Sequence, residues 1–209
     1  MVKKLLAQII FSRIYHANSW HGQYSRSGTG SDLTQTATIR KAVPVILKEI
    51  GAKTLLDAPC GDFHWMQRIQ LNIENYIGVD IVPALIKKNQ QRYGDAHKIF
   101  LQLDIRNDVL PKADLIICRD CLVHLSLKDA LAVINNFKKS DARYLLITTF
   151  PTLQKNRDIF TGLWRPLNLQ LPPFHFSQPL KLINENCKEN SGRYTDKSLG
   201  LWNLEDINI

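Results

Sequence analysis

No apolar run in this sequence approaches the roughly 20 residues that a membrane-spanning helix needs. Cysteine is scarce: Cys60, Cys118, Cys121 and Cys187 are the only four. Met1–Phe11 carries Lys3, Lys4 and a short apolar stretch but no small-residue cleavage site, so no secretory leader and a reduced, cytoplasmic setting are expected. Cys118-Arg-Asp-Cys121 has metal-ligand spacing without a second pair, so no metal site is expected. There is no internal repeat and no low-complexity tract. A hydrophobic fraction of 44% and a charged fraction of 22% exclude disorder and fibrous classes for these 209 residues.

Acidic residues are nearly missing from the first quarter. Residues 1–56 hold eight Lys or Arg against only Asp32 and Glu49, a net +6 of the chain's +8. Such an excess suits nucleic acid, anionic lipid, an anionic substrate, or solubility alone. Leu5, Leu6, Ile9, Ile10 and Ile14 recur at helical spacing, so residues 1–17 read as an amphipathic helix. It either packs on the domain or meets a membrane surface or partner. Residues 18–31 read as loop. Ser31 or Asp32 then caps a helix of about 18 residues ending at Gly51, which Pro44 should kink or split.

From Thr54 the chain alternates. Short apolar strands over 54–58, 76–80, 99–103, 114–118 and 143–149 are separated by a turn or two of helix at 63–69 and by helices at 83–93 and 128–138. Strands at 180–183 and 198–202, an antiparallel pair, close the pattern. The expected fold is α/β: a doubly wound, mostly parallel seven-stranded sheet with helices on both faces and the last strand antiparallel. Residues 1–51 would form an N-terminal lid on a domain at 52–209, with a substrate-side insertion at about 151–179. That insertion holds five prolines and is too long for a plain connection.

Ligands of such sheets bind beyond the carboxyl ends of the strands. Those ends carry Asp57, Asp80 and Asp104, spaced by 23 and 24 residues. Each alone is an ordinary surface carboxylate, but the series is costly unless a ligand or donor pairs with it. A carboxylate at the end of strand two suits a ribose diol. The turn after strand one lacks the G-x-G-x-x-G cradle and has only Gly61, which argues against NAD and FAD and for a nucleoside without pyrophosphate.

At Leu55-Leu-Asp-Ala-Pro-Cys-Gly-Asp62 the chain resembles the class I S-adenosylmethionine-dependent methyltransferases, whose first motif is an apolar strand, an acidic residue and a small-residue turn. The resemblance covers about residues 52–150. It implies S-adenosyl-L-methionine as cofactor, Asp80 and Ile81 at the ribose, and Asp104 and Ile105 at the adenine. It also implies Pro59, Cys60 and Gly61 under the methionine part, with Asp57 beneath and Asp62 beside it. Cys118-Arg-Asp-Cys-Leu-Val-His-Leu125 looks like the family's fourth motif, where sulfonium and substrate meet.

In that stretch His124 is the candidate general base, because imidazole titrates near neutrality; a helix-start residue that caps or packs is the plainer reading. Asp120 would orient His124 or bind the acceptor. Arg119 would pair with the cofactor carboxylate or Asp62. Asn156, Arg157, Trp164, Arg165 and Asn168 would line an acceptor pocket, or belong to a structural flap. Ser27-Gly-Thr-Gly-Ser31, with Gln35 and Arg40 behind it, would cover the cofactor. The expected activity is methyl transfer to O or N of a small molecule. An RNA or protein methyltransferase gripping its target through the basic N-terminal segment, and a non-catalytic binding module, are the alternatives.

Overall fold

The computed structural model describes the backbone of residues 2–209 and the side chains of residues 5–209. The side chains of Lys3 and Lys4, part of the basic leader, lie outside the described residues. Seven strands form one sheet: β1 (Thr54–Asp57), β2 (Asn75–Asp80), β3 (Lys98–Gln102), β4 (Leu115–Cys118), β5 (Tyr144–Thr149), β6 (Lys181–Asn184) and β7 (Ser198–Asn203). Their order is β3-β2-β1-β4-β5-β7-β6. β1 to β5 pair in parallel, and β7 runs antiparallel to both β5 and β6. The order reverses at β1, so β1 and β4 flank the switch point where α/β sheets open a crevice.

Alternation along the strands sorts side chains onto two faces. Leu55, Leu115, Ile117, Leu146, Leu199 and Leu201 enter one core with helices α2 (Ala37–Glu49) and α3 (Pro83–Tyr93). Leu56, Ile116, Leu145, Ile147 and Trp202 enter the other with helix α4 (Leu127–Lys138). Ser126 caps α4 by accepting from the Asp129 N–H at 3.1 Å. The helix then buries Ala130, Val133, Ile134 and Phe137 on one stripe. Each large side chain on it is worth about 1.5–3 kcal/mol over exposure.

Local expectations fail in α2 and between β1 and β2. α2 spans 13 residues rather than about 18. Thr29–Ser31 forms a short 3-10 turn instead, and the Thr36 N–H closes a further turn on the Asp32 carbonyl at 3.0 Å. α2 runs through Pro44 without being split. Between β1 and β2 only Met66–Arg68 forms a single 3-10 turn. Between β5 and β6 there is no helix, and Leu167, Leu169, Phe174 and Phe176 cover the sheet from irregular chain.

Helix α1 (Val2–Ala17) packs on the domain through a stripe the periodicity did not favour. Ala7, Phe11 and Tyr15 point inward at the sheet's crevice, while Leu5, Leu6 and Ile9 are exposed. Among the described residues no helix is long and apolar enough to cross a membrane.

Candidate active site

The chain leaves β1 through a turn built to approach a ligand closely. The Ala58 N–H donates to Ile117 O at 2.9 Å and the Cys60 N–H to Val79 O at 2.8 Å, carrying the parallel pairing past Asp57. Gly61 then takes φ +52°, and a Cβ there would lie 2.3 Å from Ser27 Oγ. The buried Asn89 of α3 donates to the Gly61 carbonyl at 2.8 Å and fixes the turn.

This turn opens onto a cavity of about 1040 Å³, mouth included, at the carboxyl ends of β1, β2 and β4. Asp57, Pro59, Cys60, Gly61, Asp80, Ile81, Asp104, Ile105 and Arg119 all reach its wall. Asp80 is buried and accepts from the Val82 N–H at 3.0 Å. Burial pushes its carboxyl up to about 6, against the backbone N–H groups of Val82, Gly61 and Ile81. Asp57 is buried too and accepts from the Tyr76 hydroxyl at 2.6 Å. Burial outweighs that bond and lifts its carboxyl to about 7.

Three expected cofactor ligands are committed elsewhere. Asp62 does not reach the cavity: its carboxylate accepts from Ser25 Oγ, Ser27 Oγ and the Arg26 N–H at 2.9, 3.3 and 2.8 Å. It anchors the N-terminal segment to the β1 turn. Asp104 lies at the cavity wall but is taken by Arg106, whose Nε and Nη2 donate to it at 2.9 and 2.8 Å. With the Arg106 N–H and Asn107 Nδ2 also donating, the four acceptor positions of the carboxylate are filled. Burial would raise the Asp104 carboxyl, and the Arg106 guanidinium brings it below the usual range. Arg119 does not pair with Asp62. It donates to Glu185 at 2.7 Å and to the Gly30 carbonyl at 2.9 Å, and sits 5.6 Å over the Trp65 ring.

Asp120 is likewise an ion-pair partner, not the residue that orients His124. It accepts from Lys197 Nζ at 2.6 Å and lies 3.3 Å from Arg119. Burial would raise its carboxyl, but these two cations hold it down to about 2. His124 Nδ1 instead lies 2.9 Å from the Leu163 carbonyl. A carbonyl only accepts, so Nδ1 carries the proton and Nε2 keeps its lone pair in the neutral ring. Burial lowers the His124 pKa below 6.5, against that bond and Asp120.

A second cavity of about 760 Å³ adjoins the first. Trp20, Ser27, Asp120 and His124 belong to both walls. Its far side is aromatic and charged: Phe150, Trp164, Tyr194, Glu189 and Lys197. Of the five expected acceptor residues only Trp164 is there. Asn156 and Asn168 lace their own segment, Asn156 Nδ2 donating to the Asn168 carbonyl at 2.8 Å and Asn168 Nδ2 to Pro151 and Leu153 at 3.1 Å. The buried Arg165 donates to the carbonyls of Leu122, Leu125 and Arg157 at 2.6, 2.7 and 3.0 Å. Arg157 is exposed and contributes that carbonyl.

Sequence reasoning missed Trp20, Arg106, Glu185, Glu189, Tyr194 and Lys197. The β6–β7 connection shows no motif. Only the topology reveals that β6, parallel to β5, delivers that connection to the same rim.

The comparisons agree with this geometry. Residues 56–146 match the family model of the methyltransferase domain. Over that stretch the chain is similar to methyltransferase domains. A domain of that kind would take S-adenosylmethionine as cofactor. The N-methyltransferase NodS from Bradyrhizobium japonicum WM9 shares the fold at 14% identity and TM-score 0.61, over 82% of this chain and 97% of its own. The methyltransferase domain of bacterial CtHen1-C is 18% identical with TM-score 0.48, over 56% of this chain and 66% of that one. Magnesium protoporphyrin IX methyltransferase from Synechocystis PCC 6803 is 21% identical with TM-score 0.46, over 58% of each chain. No curated protein sequence matches the chain.

The residues present fit this cofactor. A buried carboxylate at Asp80 faces the cavity for a diol. Ile81, Leu85, Leu103 and Ile105 give an apolar slot for a flat ring. The Gly61 turn leaves room where a side chain would collide with Ser27.

Proposed function

We propose that the protein transfers a methyl group to O or N of a small molecule seated in the second cavity. The observation that carries this reading is the shared wall: His124 borders both the cofactor cavity and a second, polar and aromatic one. When bound, S-adenosylmethionine would supply a methyl carbon on a positively charged sulfur, a leaving group able to keep the electron pair of the carbon–sulfur bond.

The chain's own part is binding, positioning and proton transfer. Asp80 accepts from the ribose hydroxyls, with Ile81 and Ile105 against the base. Asp57 lies below the Gly61 turn. His124 holds an unprotonated Nε2 at the boundary and takes the acceptor's proton. Asp120 acts by holding Lys197 and Arg119 in place, which fixes the loop that bears His124. The segment over residues 20–31 covers both cavities and excludes water.

A small acceptor is favoured over RNA or protein because the second cavity is bounded by the 20–31 segment, and two arginines of the basic N-terminal segment direct their donors to the chain itself. Arg26 donates to the Tyr15 and His16 carbonyls at 3.2 and 3.0 Å, and Arg40 to the Leu33 carbonyl at 3.0 Å. A reduced, cytoplasmic setting is part of the proposal, supported by four free thiols, three of them buried.

The test is transfer of a labelled methyl group into fractionated cell extract. Label in the low-molecular-weight fraction is expected. Label confined to RNA or protein overturns the small-molecule reading, and no binding of S-adenosylmethionine by calorimetry overturns methyl transfer itself.

A further inference from the structure

The second cavity carries a charge imbalance and an aromatic panel that together select a kind of acceptor. Asp120, Glu189 and Lys197 line it, and just behind them the buried Glu185 pairs with Arg119, so among the described residues of this cluster three carboxylates stand against two cations. Lys197 Nζ is 2.6 Å from Asp120 and 3.7 Å from Glu185, and Arg119 takes the rest of Glu185. Glu189 has neutral hydrogen-bond donors, Thr29 Oγ1 at 2.6 Å and the Cys187 thiol at 3.8 Å, and feels Arg119 only through space.

Gly30 shows where the surplus charge lies. A Cβ on it would stand 3.3 Å from Asp120 Oδ2, 3.3 Å from Glu189 Oε2 and 3.6 Å from Lys197 Nζ. The two carboxylates and the Lys197 ammonium therefore converge beside Gly30 in the cavity wall. Across from them Trp164 and Tyr194 lie 4.8 Å apart, with Phe150 edge-on to both at 6.1 and 5.9 Å. Electron-rich ring faces attract cations. Tyr194 already draws one from the chain itself, the exposed Arg193, at 5.8 Å.

We infer that the acceptor is a small cationic amine, held between Glu189 and the Trp164–Tyr194 rings, with its nitrogen toward His124. This deepens the proposed function and rests on it. An anion meets the surplus carboxylate, and a neutral hydroxyl leaves the imbalance unanswered. The proton inventory also closes. An ammonium gives one proton to Nε2 of the neutral His124 and exposes its lone pair for the new nitrogen–carbon bond. The product leaves as a protonated, methylated amine, and the imidazolium returns its proton to water.

The experiment uses the full chain loaded with S-adenosylhomocysteine, the demethylated cofactor, so that binding is read without turnover. Benzylamine, benzyl alcohol and benzoate, matched in shape and differing in charge, are titrated by calorimetry at neutral pH. Benzylamine is expected to bind at least about 10-fold more tightly than benzyl alcohol, a difference of about 1.4 kcal/mol, with benzoate weakest. E189Q should erase the preference for the amine while leaving S-adenosylhomocysteine affinity unchanged. Alcohol or benzoate binding as tightly as the amine, or an undiminished preference in E189Q, overturns the inference. Both results presuppose bound S-adenosylhomocysteine, whose failure to bind rejects the methyltransferase reading instead.

Discussion

The ring of Trp20 lies 4.7 Å from that of His124, inclined by 35°, at the place where the two cavities meet. A residue from the N-terminal loop thus clamps the candidate base from one side while the Leu163 carbonyl holds Nδ1 from another. Removing the imidazole in His124→Ala should slow turnover by about 10² or more and leave cofactor affinity within about twofold. Because burial lowers its pKa, the acid limb of kcat should fall below pH 6.5. Trp20→Ala should move that limb upward as water reaches the ring. A pH–rate profile of the three proteins checks this, and an acid limb above pH 6.5 in the wild type removes His124 as the base.

Asp80→Ala should weaken S-adenosylmethionine binding by about 10- to 100-fold, the range for a lost charge-assisted hydrogen bond of about 1.5–3 kcal/mol. With its carboxyl raised to about 6, affinity in the wild type should decline as pH drops through that value, since a protonated acid accepts less well. Calorimetry at pH 5 and pH 7.5 reads both effects. Equal affinity of mutant and wild type at pH 7.5 removes Asp80 from the cofactor site.

Asp57 predicts a stability effect of opposite sign to the usual carboxylate. Its folded pKa of about 7 lies above the ordinary 3.8, so the native state binds the proton more tightly. That contribution is complete below pH 3.8 and is lost as pH rises toward 7. At about 1.4 kcal/mol per pH unit the loss is roughly 4 kcal/mol. Asp57→Asn keeps an acceptor for Tyr76 without titrating. Urea unfolding should show the variant gaining on the wild type between pH 5 and pH 8; a constant difference would contradict the assignment.

Arg165 should matter to folding rather than to substrate choice. Burial lowers its guanidinium to about 10, which leaves it charged at neutral pH, and it ties three carbonyls on either side of the His124 turn. Arg165→Lys keeps the charge but not the fork. Losing two of three bonds should cost about 2–3 kcal/mol, seen as a lower urea midpoint. A kcat loss with unchanged stability would place Arg165 at the acceptor instead.

The sheet was legible because its strands are short apolar runs bounded by turns, and parallel strands buried on both faces leave that trace. The acidic residues at strand ends were legible for the same reason: Asp57 and Asp80 sit where an apolar run stops. What those carboxylates touch was not. Asp62 and Asp104 look alike in sequence, yet Ser25–Ser27 claims one and Arg106 the other, through contacts set by chain path. The acceptor residues were misplaced because a polar, aromatic segment reads the same whether it lines a cavity or laces itself together. Asn156, Asn168 and Arg165 bond to backbone carbonyls, a role that leaves no spacing pattern. Glu185, Glu189 and Lys197 carry no motif, and they reach the active rim only because β6 runs parallel to β5 and ends there.

The strap from Trp20 to Ser31 has a kinetic consequence. Trp20 and Ser27 face both cavities, and the strap is tied down along its length, by Asp62 at Ser25–Ser27, by Glu189 at Thr29 and by Arg119 at Gly30. A displacement wide enough to pass one ligand strips the shared wall from the other. Loading and unloading of donor and acceptor are therefore one gating event, and the residence time of each is set partly by the other.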